Sequence, residues 1–381
     1  MSRRIRSTTI ALFFCILAAP FVQRRLRLFH YDPVSEFRSK NPRPVDYASM
    51  LAPGNAFSRK YEEYFNDSYG FRDLLIRLKN QIDYSVFNRS DRIVLGKDGW
   101  LFYKSVVEEE QVYLEQHPPE DIDRLFRRLL GLNEALKAKG VVLIVVPAPL
   151  KDTIYPELVP GSTARRPHPT AFQRYRAFLK EHPEIVTIDA QSTLERLKTS
   201  FPVFHKTDFH WNDVAGFYLA RELIDRMAEL TGSAALWELP LEAARESFKD
   251  GGENRSLALL WPIVENGLSL KSPGGRWQAG VWTRSSNPNQ WEYRTNVPGE
   301  RRLLPGTVLF GDSFADAFVR ADFYVYFSSL QKFSNFDLKQ NFRGSIVGSR
   351  FLILEHIEDH LNVMLQDLFW PDEVTSSEIV K

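Results

Sequence analysis

Apolar positions along the chain change their period several times, and each change predicts an element. Residues 10–22 form an apolar run with Arg3, Arg4 and Arg6 before it and Arg24, Arg25 and Arg27 after it. That pattern reads as an export signal kept as an uncleaved anchor, although the run is short for a membrane span. Residues 30–56 are rich in proline and polar groups and read as a tether. From 57 to 87 the apolar residues Tyr61, Tyr64, Phe65, Leu74, Leu75, Leu78, Ile82 and Val86 recur at helical spacing, broken at Gly70, which predicts two helices. Period two takes over at Ile93-Val94-Leu95 and Trp100-Leu101-Phe102-Tyr103, around a Gly96-Lys97-Asp98-Gly99 turn, as in a hairpin.

Residues 119–139 carry Ile122, Leu125, Leu129, Leu132 and Leu136 on one helical stripe. Gly140 ends it, and Val141-Val142-Leu143-Ile144-Val145-Val146 is apolar at every position, as a strand buried on both faces must be. The same alternation gives a helix near 169–181, a short strand at 185–189, a helical stretch at 190–198 and a helix at 213–230 capped by Asn212 or Asp213. Residues 231–302 are turn-rich, with Trp237, Trp261, Trp277, Trp282 and Trp291 spread among them, and read as an irregular insertion at the sheet's edge. Strands are then expected at 307–310, 323–327 and 351–355. A solvated helix carrying His356 and His360 is expected to close the chain. The sum is an α/β protein with a mainly parallel sheet between helix layers. Its expected domains are an anchor at 1–29, a tether at 30–56, and one catalytic domain at 57–381 with its insertion at about 231–302.

Composition narrows the function. The chain has 381 residues, with 44% hydrophobic and 25% charged, which is globular. Residues 1–29 hold six arginines and no acid, so against a net charge of +1 the rest is acidic by five. An acidic body argues against nucleic acid as a partner. Cys15, the only cysteine, lies in the apolar run, which removes disulfide and thiol chemistry from the body. His356 and His360, with Glu355 and Glu358, have the spacing of metal ligands on a helix but lack further ligands, so no metal and no cofactor is expected.

Candidate chemistry gathers at Gly311-Asp312-Ser313, directly after the strand at 307–310. Ligands in parallel α/β sheets collect beyond the carboxyl ends of strands, so a serine on that turn is presented for attack. A serine needs a base, and the base an orienter. Asp208 and His210 can supply both, since an extended loop points residues two apart to one side. A histidine packed against the next helix is the structural alternative. Lys151 and Tyr155 follow the strand at 141–146 and are candidate lining residues, or else ordinary loop residues. Exposed tryptophans of the insertion would suit stacking on sugar rings, and buried ones the core.

Four stretches occur in the order of a known family: Gly96-Lys97-Asp98-Gly99-Trp100-Leu101-Phe102, then Pro147 with Lys151 and Tyr155-Pro156, then Thr207-Asp208-Phe209-His210-Trp211, then Gly311-Asp312-Ser313-Phe314. In these the chain resembles the alginate O-acetyltransferases, which are SGNH-hydrolase-like. The resemblance implies an SGNH-like three-layer fold with the Asp-x-His ahead of the serine, the reverse of the usual SGNH order. Carried over, Ser313 is nucleophile, His210 base and Asp208 its orienter, with Lys151, Tyr155 and Trp211 as substrate-binding candidates. It also implies an exported polysaccharide as acceptor, acetyl transfer through acetyl-serine, and a membrane-bound O-acyltransferase as donor. The implied location is the periplasmic face of a bacterial inner membrane. Two departures stand out: Phe209 replaces a small or hydroxyl residue, and the chain stops too soon for the C-terminal carbohydrate-binding module of some relatives. Esterase action with the same triad, or a non-catalytic role in polysaccharide assembly, are the alternatives.

Overall fold

The structure, a computed structural model, describes residues 3–31, 33–34, 39–43, 56–110, 116–161, 169–271, 280–284, 290–295 and 303–375. Most of the expected tether and Trp277 lie outside them, as does the side chain of Trp282. The chain divides into two compact units, Met1–Ile93 with Gly252–Ile263 and Val94–Gly251 with Val264–Lys381. Residues 57–93, expected to open the catalytic domain, therefore side with the N-terminal unit.

In that first unit, helix α1 (Arg3–Leu26) contains the 22-residue stretch Ile5–Leu26, long and apolar enough to cross a membrane. Helices α2 (Ala56–Ser68) and α3 (Arg72–Phe87) follow, separated at Gly70 as the sequence pattern requires. A side chain is excluded there, because a Cβ on Gly70 would lie 2.0 Å from the Pro20 carbonyl oxygen. The polar face of α3 holds the Gly252–Ile263 segment: Arg77 donates to the Leu259 carbonyl and Asn80 to that of Leu257.

The second unit is built on a seven-stranded sheet, and two short hairpins accompany it. Strands β1 (Ile93–Leu95) and β2 (Leu101–Tyr103) pair as the predicted hairpin. The large sheet takes β3 (Val142–Ala148) and β4 (Val186–Thr187); β5 (Ala243–Phe248) and β6 (Glu265–Leu270) form a separate antiparallel hairpin. Then come β7 (Gly280–Arg284), β8 (Trp291–Thr295), β9 (Thr307–Phe310), β10 (Ser329–Phe333) and β11 (Phe351–Ile357). The sheet order is β4-β3-β11-β9-β10-β8-β7, parallel from β4 to β10 and antiparallel through β8 and β7. The insertion thus adds its second hairpin to the sheet's edge, as expected.

Strand residues alternate between two cores because successive side chains point to opposite faces. Ile144, Val146, Leu309 and Ile353 pack on one side, with α6 (Ala190–Leu197) and α7 (Asp213–Leu230). Leu143, Val145, Val308 and Leu352 pack on the other, under α4 (Pro119–Lys137), α5 (Ala171–Glu181) and α9 (Leu338–Ser345). This is the expected helix-sheet-helix layering. Two sequence expectations fail. Residues 323–327 form a 3-10 turn (Phe323–Tyr326) instead of a strand, and the turn buries Phe323, Val325, Tyr326 and Phe327 as a strand would have. The stretch after 351 is no solvated helix: β11 continues to Ile357, and Glu355, His356 and Glu358 are buried. The insertion's tryptophans divide as well. Trp237 is half-buried against Tyr326 and Phe217, while Trp261, in the first unit, is 73% exposed.

Helix α8 (Asp316–Arg320) rests on α7 at Gly216, where a Cβ would meet the Ala317 Cβ at 2.4 Å. Alanine ordinarily stabilises a helix interior by about 1 kcal/mol over glycine. Here overpacking of about 1–3 kcal/mol opposes it, with no flexible atom to yield. Gly216→Ala should therefore lower stability in denaturant unfolding; a stabilised variant would show that the two helices are free to separate.

Candidate active site

Strands β3 and β11 end opposite each other, Ala148 beside Ile357, and β9 ends three residues sooner, Phe310 beside Leu354; the polar residues at these carboxyl ends contribute to the site. After β9 the chain turns sharply through Gly311-Asp312-Ser313. Gly311 N–H still pairs with Phe333 on β10, and a Cβ there would meet the Ala315 Cβ at 2.9 Å. The Asp312 carboxylate accepts from Phe314 N–H (2.8 Å), closing a small turn around Ser313. Its other oxygen accepts from Ile357 N–H (3.0 Å) and lies 3.1 Å from His360 Nδ1. Ser313 is left exposed at the apex. Its own N–H donates to no acceptor among the described residues.

The histidine comes from a closed loop. Phe204 and Trp211 form an antiparallel bridge at its base, and Asn212 N–H pairs with the Val203 carbonyl (2.9 Å) while its side chain caps α7. Inside the loop Asp208 Oδ1 accepts from His210 N–H (2.9 Å) and lies 2.5 Å from His210 Nδ1. The pair meets through this tight turn and not through the extended loop expected from the spacing, since a carboxylate two residues back reaches a main-chain N–H more readily than it crosses a strand's pleat. His210 Nε2 faces Ser313 Oγ at 2.7 Å across 103 positions of sequence. Phe209 packs beside the His210 ring (centroids 4.0 Å) and edge-on to Tyr103 and Phe314, holding the imidazole from one side.

Of the three expected substrate-binding residues, Lys151 and Tyr155 do not line the cleft, and Trp211 does. Lys151 is 2% exposed, and its Nζ donates to the carbonyls of Asp208 (2.9 Å), His205 (3.3 Å) and Lys206 (3.3 Å). Tyr155 is buried against Trp100, its hydroxyl accepting from Val203 N–H. The Trp211 indole is buried and donates to the Phe314 carbonyl (3.0 Å), joining the histidine loop to the serine turn.

Other residues of the site were missed from sequence. Glu265, on β6, accepts from Lys206 N–H, Thr207 N–H and the Thr207 hydroxyl, and these bonds with His205 hold its carboxyl below the ordinary range despite burial. Nothing around it in sequence signals this. Glu355 and Glu358 could have been found, because charged residues at the carboxyl end of an apolar strand are as conspicuous as Ser313. Glu358 accepts from Leu150 N–H (3.1 Å) and the Thr153 hydroxyl (2.6 Å). Glu355 takes the Asp312 N–H (2.9 Å). Burial, then the charge of Asp312, keeps Glu355 protonated. Burial opposes ionisation of Asp312 too, but His360 and the two N–H donors outweigh it and hold that carboxyl low. The turn thus rests on one carboxylate and one carboxylic acid.

Above the triad opens a cleft of about 420 Å³ whose walls are the β5–β6 hairpin, through Glu246, Ser247 and Phe248, and the first residues of α7 and α8. Among the described residues no group of three or more His, Cys, Asp and Glu side chains is disposed to hold a metal. A hydroxyl beside an imidazole whose far nitrogen is held by a carboxylate, with a free N–H at the same turn, is chemically suited to acyl transfer.

This architecture is that of an SGNH-hydrolase-like fold, and residues 93–249 match the family described as SGNH hydrolase-like domain, acetyltransferase AlgX. Asp208 and His210 fall inside that segment and Ser313 beyond it. The chain is 22% identical over 275 residues to the probable alginate O-acetylase AlgJ of Pseudomonas fluorescens, a match covering 72% of this chain and 65% of that protein. It is 25% identical over 263 residues to the probable alginate O-acetylase AlgJ of Pseudomonas aeruginosa, covering 66% and 60%. It therefore spans less than two thirds of the length of these curated relatives. The resemblance seen in the motifs is borne out by these matches. Among solved structures, the O-acetyltransferase domain of Pseudomonas putida AlgJ superposes with a TM-score of 0.47 at 16% identity, covering 71% of this chain and 92% of that one. Bacillus cereus PatB1 does so with 0.49 at 14% identity, covering 74% and 99%.

Removing the Lys151 ammonium leaves three carbonyls without their shared donor, so Lys151→Met should cost roughly 2–4 kcal/mol of stability. Urea titration checks this; a variant as stable as the parent would mean the ammonium does not hold the loop. A second expectation concerns acid. His356, buried with its Nε2 3.1 Å from the Tyr175 hydroxyl, has its pKa pulled by burial from 6.5 to about 4. Between those values the unfolded chain binds a proton that the fold excludes, so this contribution is whole above pH 6.5 and is lost as pH falls toward 4. His356→Gln should flatten that part of the acid-unfolding profile followed by circular dichroism, and unchanged slopes would mean His356 is charged in the fold.

Proposed function

We propose that the protein is an O-acetyltransferase acting on an exported polysaccharide through an acetyl-Ser313 intermediate. The observation that carries this is the continuous relay from Asp208 through His210 to Ser313, with distances of 2.5 and 2.7 Å, opening on a cleft. In the reading it supports, His210 Nε2 takes the Ser313 proton as Oγ attacks the carbonyl carbon of an acetyl donor. Asp208 holds the imidazole by Nδ1 and stabilises the imidazolium. The tetrahedral oxyanion is met by Ser313 N–H. Collapse expels the donor's leaving group with the proton from His210. A sugar hydroxyl then attacks acetyl-Ser313, gives its proton to His210, and leaves as the ester while Oγ is reprotonated.

The similarity to alginate O-acetylases favours a sugar hydroxyl over water in that second half. With α1 as anchor, the catalytic unit works at the extracytoplasmic face of the inner membrane, and a membrane-bound O-acyltransferase supplies the acetyl group.

With p-nitrophenyl acetate as donor and oligosaccharides as acceptors, the parent protein should accumulate acetyl-Ser313 and acetylated sugar, both visible by mass spectrometry. Ser313→Ala should lower turnover about a thousandfold or more, and Asp208→Asn about 10²–10⁴-fold. Full turnover by Ser313→Ala sinks the assignment, and acetate without acetylated sugar makes the protein an esterase.

A further inference from the structure

We infer that the cleft over Ser313 takes an uncharged or amine-bearing glycan and turns away a polyuronate. The inference rests on the acyl-transfer reading above and concerns the acceptor class only. Ser313 and His210 fix where the glycan must sit; the walls decide which glycan is tolerated.

Among the described lining residues Arg320 is the only arginine or lysine, and its Nε is committed to Asp213 at 2.6 Å. Asp316 has its own counter-ion in Lys332, which reaches it from the buried side. That leaves Glu246 and Asp250, both exposed on the wall facing Ser313 and neither paired with a cation among the described residues. His205 lines the same space, with its Nδ1 3.8 Å from the Glu265 carboxylate. Among the described lining residues the uncompensated charge is therefore negative.

A polyuronate brings one carboxylate per sugar unit. To offer a hydroxyl to acetyl-Ser313 it must bring carboxylates into the cleft that Glu246 and Asp250 also line, where charges are poorly screened by salt. No free guanidinium or ammonium among the described lining residues compensates. A neutral sugar meets the opposite situation. Its hydroxyls donate to those carboxylates, which are strong acceptors, and to Ser247 and Ser269. Its C–H face has the Phe248 ring, which already rests on His205 at 4.6 Å between centroids. An amino sugar would add an ion pair with Glu246 or Asp250.

The test uses the full chain in detergent and a sulfonyl fluoride that labels Ser313, scored by intact mass. Oligosaccharides of equal length, made of glucose, glucosamine or mannuronate, compete for the cleft. The expected result is half-protection by the first two at concentrations at least about tenfold lower than by mannuronate. Added salt should weaken the glucosamine series and strengthen the mannuronate series. The double variant Glu246→Gln, Asp250→Asn should narrow the gap at least several-fold. Equal or better protection by mannuronate, a gap insensitive to both salt and the double variant, or no protection by any glycan overturns the inference. Failure of the reagent to label Ser313 at all sinks the triad reading with it, so the two failures are distinguishable.

Discussion

The bond from Ile357 N–H to the Asp312 carboxylate ties the serine turn to the neighbouring central strand, and the remaining geometry of the site follows from it. Burial opposes ionisation of Asp312, but His360 and the Phe314 and Ile357 N–H groups outweigh it, and the protonated Glu355 beside it leaves the space with one charge instead of two. One residue past Ile357, Glu358 holds Leu150 N–H, which places Lys151 under the carbonyls of the histidine loop. The end of β11 thus positions both halves of the triad, although it contributes no member of it. Trp211, bonded to the Phe314 carbonyl, closes the circuit from the other side.

Much of this was legible in sequence, for identifiable reasons. The runs at 141–146 and 307–310 are apolar at every position, and only a strand buried on both faces asks for that. The grouping of Asp208, His210 and Ser313 was legible because they lie at predictable places, one on a strand's carboxyl end and two at the entry of a helix. What failed was context. The 323–327 run has a strand's composition, but a 3-10 turn buries the same rings equally well, and composition does not distinguish them. Glu265 is an ordinary glutamate in a turn-rich segment; its role exists only because the chain folds back on Lys206 and Thr207. Lys151 shows the same limit from the other direction: a lysine after a strand reads as a solvated loop residue until three carbonyls converge on it.

The insertion is more than an edge decoration. Its second hairpin extends the sheet, but β5 and β6 lie against the histidine loop closely enough that a Cβ on Gly251 would sit 2.1 Å from the Thr207 carbonyl oxygen and one on Gly267 2.8 Å from His205 Nδ1. The same segment therefore braces Asp208 from behind and forms the outer wall of the cleft. Changes in its outward residues can alter what the cleft admits without disturbing the relay beneath, which is how one scaffold supports several acceptors.

Strand order also dictates when the site can exist. β11 is the last strand in sequence, yet it lies between β3 and β9 and pairs with both. While the chain is being made, β3 and β4 can pair with each other, but β3 has nothing on its other side and β9 cannot close against it. The sheet is completed from its middle by its final segment, a slow kind of assembly because every contact spans a long loop. A chain that has not yet released residues 351–357 carries Asp208, His210 and Ser313 but no ladder between β3 and β9, so the three residues come together only when that strand arrives.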